Sequence, residues 1–268
     1  MLNKYIVSEL GDLSGKSIIH LQCNTGADTI LLAKMGASAM GVDIVPDNIL
    51  YAKKLAEDFG VANASFIESD IMELMAKHGE KYDVVFVSEG AIGWLPDLKK
   101  WAQTIRHLLK DDGFFYIFEN HPIYSSFTLR SPFDCAENRV NHADFRLANG
   151  QRKLQTLYMM FDEGKLAKGE TAIKYPYFKT APDVDESIGG YASESKGGVK
   201  TYFWQYKISD VINSLVMAGL KIEFFNEFVE NFFDPGGCER VGDGLYNYPF
   251  NGNLFPMSFS LRAEGGFL

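Results

Sequence analysis

The alternation of strand-like and helix-like segments over residues 1–119 is the feature that most limits the fold. Short, continuous apolar runs predict strands at 18–22, 38–43, 64–68, 82–88 and 114–119. Apolar residues at helical spacing predict helices at 28–35, from 46 or 47 to about 59, at 71–78 and from 98 to 108. Strands that alternate with helices in this way form βαβ units, and their apolar character indicates burial on both faces. The sequence therefore predicts an α/β fold with a parallel sheet.

The pattern stops at residue 120 and returns near residue 207, where a helix at 208–218 and strands at 221–228 and 258–262 are predicted. Residues 1–119 hold 11 basic and 17 acidic residues and 207–268 hold 4 and 8, whereas 120–206 hold 11 and 10. A near-neutral insertion suits a cover over a pocket better than a charged docking surface. We therefore expect a core formed by 1–119 and 207–268 and an inserted cap at 120–206.

Composition excludes several classes of partner and site. The net charge of −9 and the lack of a long basic run argue against a nucleic-acid partner, whose phosphates require Lys and Arg clusters. The cysteines are Cys23, Cys135 and Cys238, and no two of them form a CxxC pair, so neither a disulfide framework nor a zinc site is predicted. No signal peptide or membrane-spanning run is recognised, and we expect a cytoplasmic protein without a bound metal.

Polar residues cluster where the predicted strands end. In an open parallel sheet, ligands bind outside the carboxyl ends of the strands, so side chains that follow different strands meet at one edge. The residues at these ends are Gln22, Cys23, Asn24 and Gly26 after the first strand, Asp43 and Ile44 after the second, Asp70 and Ile71 after the third, and Ser88 and Glu89 after the fourth.

The strand-end residues suit a nucleoside. The carboxylate of Asp43 has only acceptors, and the two hydroxyls of a ribose can both donate to it. Asp70 can accept from the exocyclic amine of adenine, although an Asp at this point can also simply cap a helix. Ile44 and Ile71 can enclose a flat base between them. These positions predict a nucleoside site at the carboxyl edge of the sheet.

The loop after the first strand indicates which nucleotide is bound. A dinucleotide site requires G-x-G-x-x-G for close approach of the pyrophosphate, but here Gln22 and Asn24 replace two of the glycines. A phosphate-binding Walker loop is also absent, since the run Gly15-Lys16-Ser17 precedes the first strand. The remaining ligand is a nucleoside without phosphates.

Several motifs together resemble a class I S-adenosylmethionine-dependent methyltransferase. They are I-I-H-L-Q-C-N-T-G-A-D-T at 18–29, V-D at 42–43, E-S-D at 68–70, Y-D-V-V-F-V-S-E-G at 82–90 and L-L-K-D-D-G-F-F-Y-I-F-E at 108–119. The resemblance covers residues 15–121 and, more weakly, 204–228. It implies a Rossmann-like, seven-stranded, mostly parallel sheet whose last strand is antiparallel. It also implies S-adenosylmethionine as cofactor, S-adenosylhomocysteine as product, and a position for Glu89 beside the methionine part of the cofactor.

The first loop departs from the family pattern. The family usually has an acid in the first strand followed by G-x-G-x-G, whereas this chain has His20, Gln22 and Asn24 and keeps Gly26. The sequence leaves two interpretations of His20 open, a buried histidine bonded to backbone and a residue that contacts the ligand. Gln22 and Asn24 can add side-chain contacts to the methionine end of the cofactor.

Methyl transfer requires the donor and acceptor to be held in line and water to be excluded. Glu119 and His121 follow the fifth strand and are the predicted catalytic residues, with His121 as a base because its ordinary pKa lies near neutrality. His121 can also be a turn residue fixed by Pro122, and a catalytic cysteine is disfavoured because Cys23 and Cys135 lack an evident histidine partner. The predicted acceptor-lining residues are Trp94, Tyr124, Trp204, Tyr246 and Tyr248, each of which can instead serve packing alone.

We therefore expect methyl transfer to a small molecule. Two other functions stay open from sequence, an NAD-dependent oxidoreductase and a protein that binds the cofactor to regulate without catalysis. A protein or RNA acceptor is a lesser alternative. The missing glycines disfavour the oxidoreductase, and the altered first loop keeps the regulatory protein in consideration.

Overall fold

The computed structural model describes residues 2–123, 177–185, 200–234, 238–247 and 255–266. The strands are β1 (Ser17–Leu21), β2 (Ser38–Asp43), β3 (Ala64–Glu68), β4 (Tyr82–Val87), β5 (Leu109–Asn120), β6 (Asp183–Asp185), β7 (Thr201–Phe203), β8 (Leu220–Phe228), β9 (Glu239–Gly242), β10 (Leu245–Asn247) and β11 (Ser258–Gly265). The helices are α1 (Lys4–Leu10), α2 (Ala27–Lys34), α3 (Pro46–Asp58), α4 (Leu74–Lys77), α5 (Leu98–Leu108) and α6 (Ile208–Met217). Two short 3-10 helices cover Ile71–Glu73 and Ile92–Trp94.

Seven strands form one sheet in the order β3-β2-β1-β4-β5-β11-β8. The neighbours from β3 to β5 are parallel, and β11 is antiparallel to both β5 and β8. This confirms the expected seven-stranded, mostly parallel sheet with an antiparallel last strand. The strand order reverses between β1 and β4, which places the ligand-binding edge of such a sheet at the ends of these two strands.

Helices cover both faces of the sheet, because alternate residues of each buried strand point to opposite sides. On one face Val85 and Ile117 pack with Trp101 of α5 and Leu215 of α6. On the other face Phe86 packs in a second cluster, which is completed by residues of the first three helices such as Ile6, Leu32 and Ile49.

The strand boundaries agree closely with the sequence prediction, and the largest difference is in β5. Its pairing with β4 begins at Leu109 and shifts register before Phe114, so residues 109–113, which precede the predicted strand, form an irregular first part of β5. The segment 71–78 is a 3-10 turn followed by a short helix instead of one continuous helix.

The sequence prediction missed α1 and the hairpin of β9 and β10. Asn3 caps α1 by accepting from the amides of Tyr5 and Ile6, and the helix buries Ile6 and Leu10. A capping residue followed by apolar residues four apart is a signal that was present in the sequence. Among the described residues no helix has both the length and the apolar character needed to span a membrane.

Candidate functional site

The loop between β1 and α2 has a left-handed backbone at three alternate residues. The φ angle is 55° at Gln22, 50° at Asn24 and 76° at Gly26. A left-handed conformation is uncommon outside glycine and costs about 1–2 kcal/mol, with asparagine among the residues that tolerate it best. The loop thus has positive φ angles at all three positions where the family pattern has glycine. Gln22 and Asn24 adopt this conformation even though they carry side chains.

Gly26 differs from the other two residues because a side chain has no room there. A Cβ atom on Gly26 would lie 2.6 Å from Cβ of Ala52 and 2.6 Å from Cε1 of Phe66. Its carbonyl accepts from the amide of Ile30 at 3.0 Å, which starts α2. Glycine is therefore required where the loop enters the helix.

The side chain of Gln22 connects this loop to the loop after β4. Its Nε2 donates to the carbonyl of Ala91 at 2.9 Å, which fixes the orientation of the amide. Its Oε1 is buried, and no group in the described part of the chain donates to it. A buried acceptor without a donor costs about 1–3 kcal/mol, so this atom is a candidate contact for a ligand that can donate.

Asp43 connects the first loop to α3. Its Oδ2 accepts from the amide of Asn24 at 2.9 Å, and its Oδ1 accepts from Val45 at 2.9 Å and from Nδ2 of Asn48 at 3.2 Å. A carboxylate has about four acceptor positions, so these three bonds leave one on Oδ2. Asp43 can stabilise the loop and still accept from one ligand hydroxyl.

The residues that were expected to contact the adenine base differ in their exposure. Ile44 is 61% exposed beside Asp43, whereas Ile71 is 3% exposed and packs in the core. Asp70 accepts from the amide of Met72 at 2.8 Å and caps the 3-10 helix, which is the structural alternative considered above. The predicted enclosure of a base by Ile44 and Ile71 is therefore wrong for Ile71, because its side chain faces the core and not the strand ends.

His20 is a buried link between α2 and the end of β4. Its Nδ1 lies 2.8 Å from Oγ1 of Thr29, and its Nε2 lies 2.8 Å from Oγ of Ser88. Burial lowers the pKa of His20 to about 4, with a partial offset from the negative charge of Asp28. The imidazole is therefore neutral near neutral pH, and its partners are hydroxyl groups instead of the backbone groups considered above.

Glu119 organises the loop that follows β4. Its Oε1 accepts from the amides of Gly90 and Asn120 at 2.8 and 2.7 Å, and its Oε2 accepts from Ala91 at 2.7 Å and from Ile92 at 3.2 Å. Burial raises the pKa of this carboxyl group, while the four amides favour its charged form. Because both oxygens accept from backbone amides, this geometry does not support the predicted catalytic role of Glu119.

Glu89 lies at the same edge and contacts the N-terminal segment. Its Oε1 accepts from Nδ2 of Asn3 at 3.1 Å, and Asn3 is buried. Burial raises the pKa of Glu89 to about 8, and the carboxylates of Asp28 and Glu119 add to this effect, whereas the positive charge of the N-terminus and the hydrogen bond from Asn3 oppose it. Ser88, one residue earlier, is engaged by His20.

Cys23 faces away from the strand ends. Its side chain is buried in the second core cluster, and burial together with the charge of Asp43 raises the pKa of its thiol to about 12. A thiol with a raised pKa is a poor nucleophile, which agrees with the sequence argument against cysteine catalysis. Cys23 can contribute only backbone atoms to a ligand at the strand ends.

His121 has both ring nitrogens engaged. Nδ1 accepts from the amide of Ile123 at 3.2 Å, which leaves the proton on Nε2, and Nε2 lies 2.9 Å from Oε1 of Glu227. Burial lowers the pKa of His121, against the opposing effect of the Glu227 carboxylate. A base needs a nitrogen that can reach the substrate, so the predicted role of His121 as a base is not supported by this geometry.

Asn120 is a residue that the sequence analysis did not select. Oδ1 of Asn231 accepts from the amide of Phe232 at 2.8 Å, so Nδ2 of Asn231 donates to Oδ1 of Asn120, also at 2.8 Å. Asn231 is fully buried, and this sequence of bonds turns the amino group of Asn120 towards Gly90, where a Cβ atom would lie 3.9 Å away. No sequence signal connects two asparagines that are this far apart in the chain.

Aromatic side chains adjoin the loop after β4. Trp94 is 38% exposed and meets Phe203 edge to face, with ring centroids 5.1 Å apart. The amide of Trp204 donates to the carbonyl of Gly93 at 2.7 Å, and Tyr202 stacks on Trp204. Trp94 therefore packs on Phe203 and is still partly exposed near the strand ends.

Three further residues were predicted to line the acceptor site, and the structure describes one of them. Tyr246 pairs through its backbone with Asn231 and packs against Cys238 and Met257. Tyr124 and Tyr248 lie outside the described residues. Within the described ranges, no three His, Cys, Asp or Glu side chains come together as a metal site.

The family is shown by a model of the methyltransferase domain, which matches residues 12–163. The chain belongs to this methyltransferase family. The matched region contains the loops after β1, β2, β3 and β4 and the end of β5. The family resemblance seen in the sequence motifs is thereby confirmed, and the oxidoreductase alternative is removed.

Curated relatives of this methyltransferase match only in part, and the match covers at most about half of their length. A ubiquinone biosynthesis O-methyltransferase from Actinobacillus pleuropneumoniae is 30% identical over 115 residues, which is 42% of this chain and 49% of that protein. An uncharacterized RNA methyltransferase from Caldanaerobacter subterraneus is 34% identical over 86 residues, which is 32% of this chain and 19% of that protein.

Solved structures share the fold of the methyltransferase at low sequence identity. An S-adenosylmethionine-dependent methyltransferase from Mesorhizobium loti has a TM-score of 0.52 at 18% identity, covering 96% of this chain and 94% of that chain. A SAM-dependent methyltransferase from Methanosarcina mazei has a TM-score of 0.57 at 14% identity, covering 100% and 99%. These similarities concern the fold.

The buried neutral state of His20 leads to a prediction about stability. The unfolded chain takes up a proton on His20 below its ordinary pKa of 6.5, whereas the folded protein does so only near pH 4. The free energy of unfolding should therefore fall by up to about 3 kcal/mol between pH 6.5 and pH 4. The variant His20→Gln should lose this part of the pH dependence in urea unfolding. His107→Gln in α5 is the matched control, and an unchanged pH dependence in His20→Gln would contradict the assignment.

Proposed function

We propose that this methyltransferase transfers the methyl group of S-adenosylmethionine to a small organic acceptor. The observation that carries the proposal is the first loop, where Gln22, Asn24 and Gly26 all have positive φ beside the carboxylate of Asp43. A loop of this shape offers a nucleoside close approach to backbone at the point where the strand order reverses.

The residues present fit the cofactor along its length. Asp43 retains an acceptor position for a ribose hydroxyl, and exposed Ile44 can cover one face of the adenine. The buried Oε1 of Gln22 is an acceptor and cannot donate a hydrogen bond. The methionine part of the cofactor has an ammonium group, which can donate to it. The cofactor would therefore supply the donor that Oε1 of Gln22 does not find in the described part of the chain. When bound, S-adenosylmethionine supplies a methyl group on a positively charged sulfur.

The protein groups that remain for catalysis are positioning groups. Glu119 holds the loop after β4, and His20 holds Ser88 against α2. Since the ring nitrogens of His121 are engaged with Ile123 and Glu227, we do not assign it the removal of a proton. Methyl transfer at this site rests on alignment and the exclusion of water, which require no base when the acceptor is already ionised.

The acceptor would lie over the ends of β4 and β5. Trp94 and Trp204 offer flat apolar surface there, and Asn120 offers an oriented amino group. We propose that residues 120–206 form the cap over this site. Its described end contacts the core through the amide of Trp204, which donates to the carbonyl of Gly93 at 2.7 Å. Nε2 of Gln205 donates to the carbonyl of Pro122 at 2.7 Å, which joins the two ends of the proposed cap.

Two features favour a small molecule over RNA. The chain has a net charge of −9, and nucleic-acid affinity depends on clusters of basic residues. The edge near the proposed acceptor site contains aromatic and amide groups and the acids Glu89 and Glu119. Because 32% of the chain is similar to an RNA methyltransferase, RNA is tested as an alternative acceptor in the turnover experiment below.

The cofactor assignment is tested by titration calorimetry with S-adenosylmethionine and S-adenosylhomocysteine. Asp43→Ala should weaken both ligands by about 10- to 100-fold, because a charge-assisted hydrogen bond to the ribose is lost. Asp58→Ala at the exposed end of α3 is the control and should bind like the wild type. Equal affinity of Asp43→Ala and wild type would remove the ribose assignment, and no heat from the wild type at millimolar ligand would remove the cofactor.

The acceptor class is tested by the formation of S-adenosylhomocysteine with a panel of phenols, aromatic acids and amines and, separately, with total RNA. We expect turnover with at least one small compound and none with RNA. Asn120→Ala should raise KM for that compound more than it lowers kcat. Turnover with RNA alone would contradict the proposed acceptor class, and the absence of turnover with every substrate would favour a regulatory, cofactor-binding role.

A further inference from the structure

A space beside Gly90 opens between the ends of β4 and β5. Gly90 has a φ angle of 82°, and a Cβ atom built on it would lie 3.9 Å from Nδ2 of Asn120. Apart from the chain neighbours of Gly90, no other atom of the described residues lies within 4 Å of that point. Asn120 is the last residue of β5 and is partly exposed. The amino group of Asn120 therefore faces room that a small ligand can occupy.

The orientation of the Asn120 amide is set by hydrogen bonds that begin at a backbone amide. The amide of Phe232 can only donate, so the atom of Asn231 that it contacts at 2.8 Å is the oxygen Oδ1. Nδ2 of Asn231 then donates to Oδ1 of Asn120 at 2.8 Å. Nδ2 of Asn120 keeps two hydrogens, and within the described part of the chain it has no acceptor. It is therefore available to a ligand.

Asn231 is itself held in place by its surroundings. It is fully buried, its amide donates to the carbonyl of Tyr246 at 2.8 Å, and its carbonyl accepts from the amide of Tyr246 at 2.7 Å. One residue earlier, the carbonyl of Glu230 accepts from Oγ of Ser258 at 2.6 Å. If the side-chain amide of Asn231 inverted, its Nδ2 would face the amide of Phe232, and two donors would meet without an acceptor. The orientation of Asn231 is therefore fixed.

The carboxylate of Glu119 disfavours an anion in the space beside Gly90. Its Oε1 accepts from the amides of Gly90 and Asn120, which are the two residues that border this space. A second negative charge close to this carboxylate would be unfavourable. The amide of Asn120 is a neutral donor, so an uncharged oxygen suits the space better than a carboxylate does.

We propose that the acceptor substrate carries an uncharged carbonyl oxygen that accepts from Nδ2 of Asn120, and that Asn231 is the positioning residue that sets this preference. The inference rests on the acceptor site proposed above. Because Asn231 turns the amino group of Asn120 towards the ligand, a carbonyl compound gains a hydrogen bond there. An ammonium compound would place a donor against a donor. A site that is built to bond one polar group rejects an analogue that cannot form the bond.

The preference is measured by NMR titration of the protein in the presence of saturating S-adenosylhomocysteine, with four probes that share a benzene ring. Acetophenone and methyl benzoate carry an uncharged carbonyl, benzylamine an ammonium group and benzoate a carboxylate. We expect the wild type to bind the two carbonyl probes at least about fivefold more tightly than the two charged probes. The side-chain NH2 signals of Asn120, identified by their loss in Asn120→Asp, should shift when a carbonyl probe binds.

Asn231→Asp should invert the amide of Asn120. One carboxylate oxygen can still accept from Phe232, and the other is an acceptor where Nδ2 was a donor, so the amino group of Asn120 turns inward and its oxygen faces Gly90. The carbonyl probes should lose about fivefold or more in affinity, and the Asn120 signals should no longer respond to them. Asn120→Asp, which removes the donor at a partly exposed position, should weaken the same probes. Gln103→Glu, an exposed change of amide to carboxylate in α5, is the matched control and should bind like the wild type.

The outcomes distinguish the inference from the proposed function. If the wild type binds no carbonyl probe or binds all four probes equally, or if neither variant weakens the carbonyl probes, the inference is wrong while the cofactor site stands. A loss in Asn120→Asp alone would support the contact and contradict the positioning role of Asn231. If the wild type does not bind S-adenosylhomocysteine, the proposed function is wrong, and the response of the Asn120 signals to acetophenone still decides whether a carbonyl binds there.

Discussion

The peptide of Ala91 joins the two loops on which the site depends. Its amide donates to the buried carboxylate of Glu119, and its carbonyl accepts from the side chain of Gln22. The first bond holds the loop after β4 against the end of β5, and the second connects this loop to the left-handed loop after β1. Without Glu119 three amides of the β4 loop would lose their acceptor, and Gln22 would lose the partner that orients it. The carboxylate of Glu119 therefore stabilises the conformation of both loops.

The same network explains how this methyltransferase functions without the usual glycines. Glycine is favoured in such a loop because it takes positive φ at little cost, but a side chain can occupy this conformation when other contacts compensate for the strain. Gln22 gains a bond to Ala91, and Asn24 gains bonds through its amide to Asp43 and through its Oδ1 to Thr25. Only Gly26 is retained, because Ala52 and Phe66 leave no room for a Cβ atom.

The sequence was sufficient to predict the sheet and the strand ends, since apolar runs and turn residues are local signals. The bounds of β2 and β3 are as predicted, Asp43 is the last residue of β2, and Glu89 follows the end of β4 by two residues. The roles of Glu119 and His121 could not be predicted, because their partners come from other strands and loops. Glu119 binds amides about 28 residues away, and His121 pairs with Glu227 of β8. The contact of Asn120 with Asn231 is likewise created only by folding. For His20 the burial could be predicted, because the residue lies in an apolar strand. Its hydroxyl partners, Thr29 and Ser88, could not be predicted, because they come from α2 and from the loop after β4.

We propose that a loop with one glycine holds S-adenosylmethionine at the ends of β1, β2 and β4. A crystal structure of the complex with S-adenosylhomocysteine is the decisive test of this placement. We expect positive φ at Gln22, Asn24 and Gly26, a ribose hydroxyl within hydrogen-bonding distance of Asp43, and the ligand's ammonium group at Oε1 of Gln22. A ligand bound elsewhere on the protein, or a loop that abandons the left-handed conformation when the ligand binds, would contradict it.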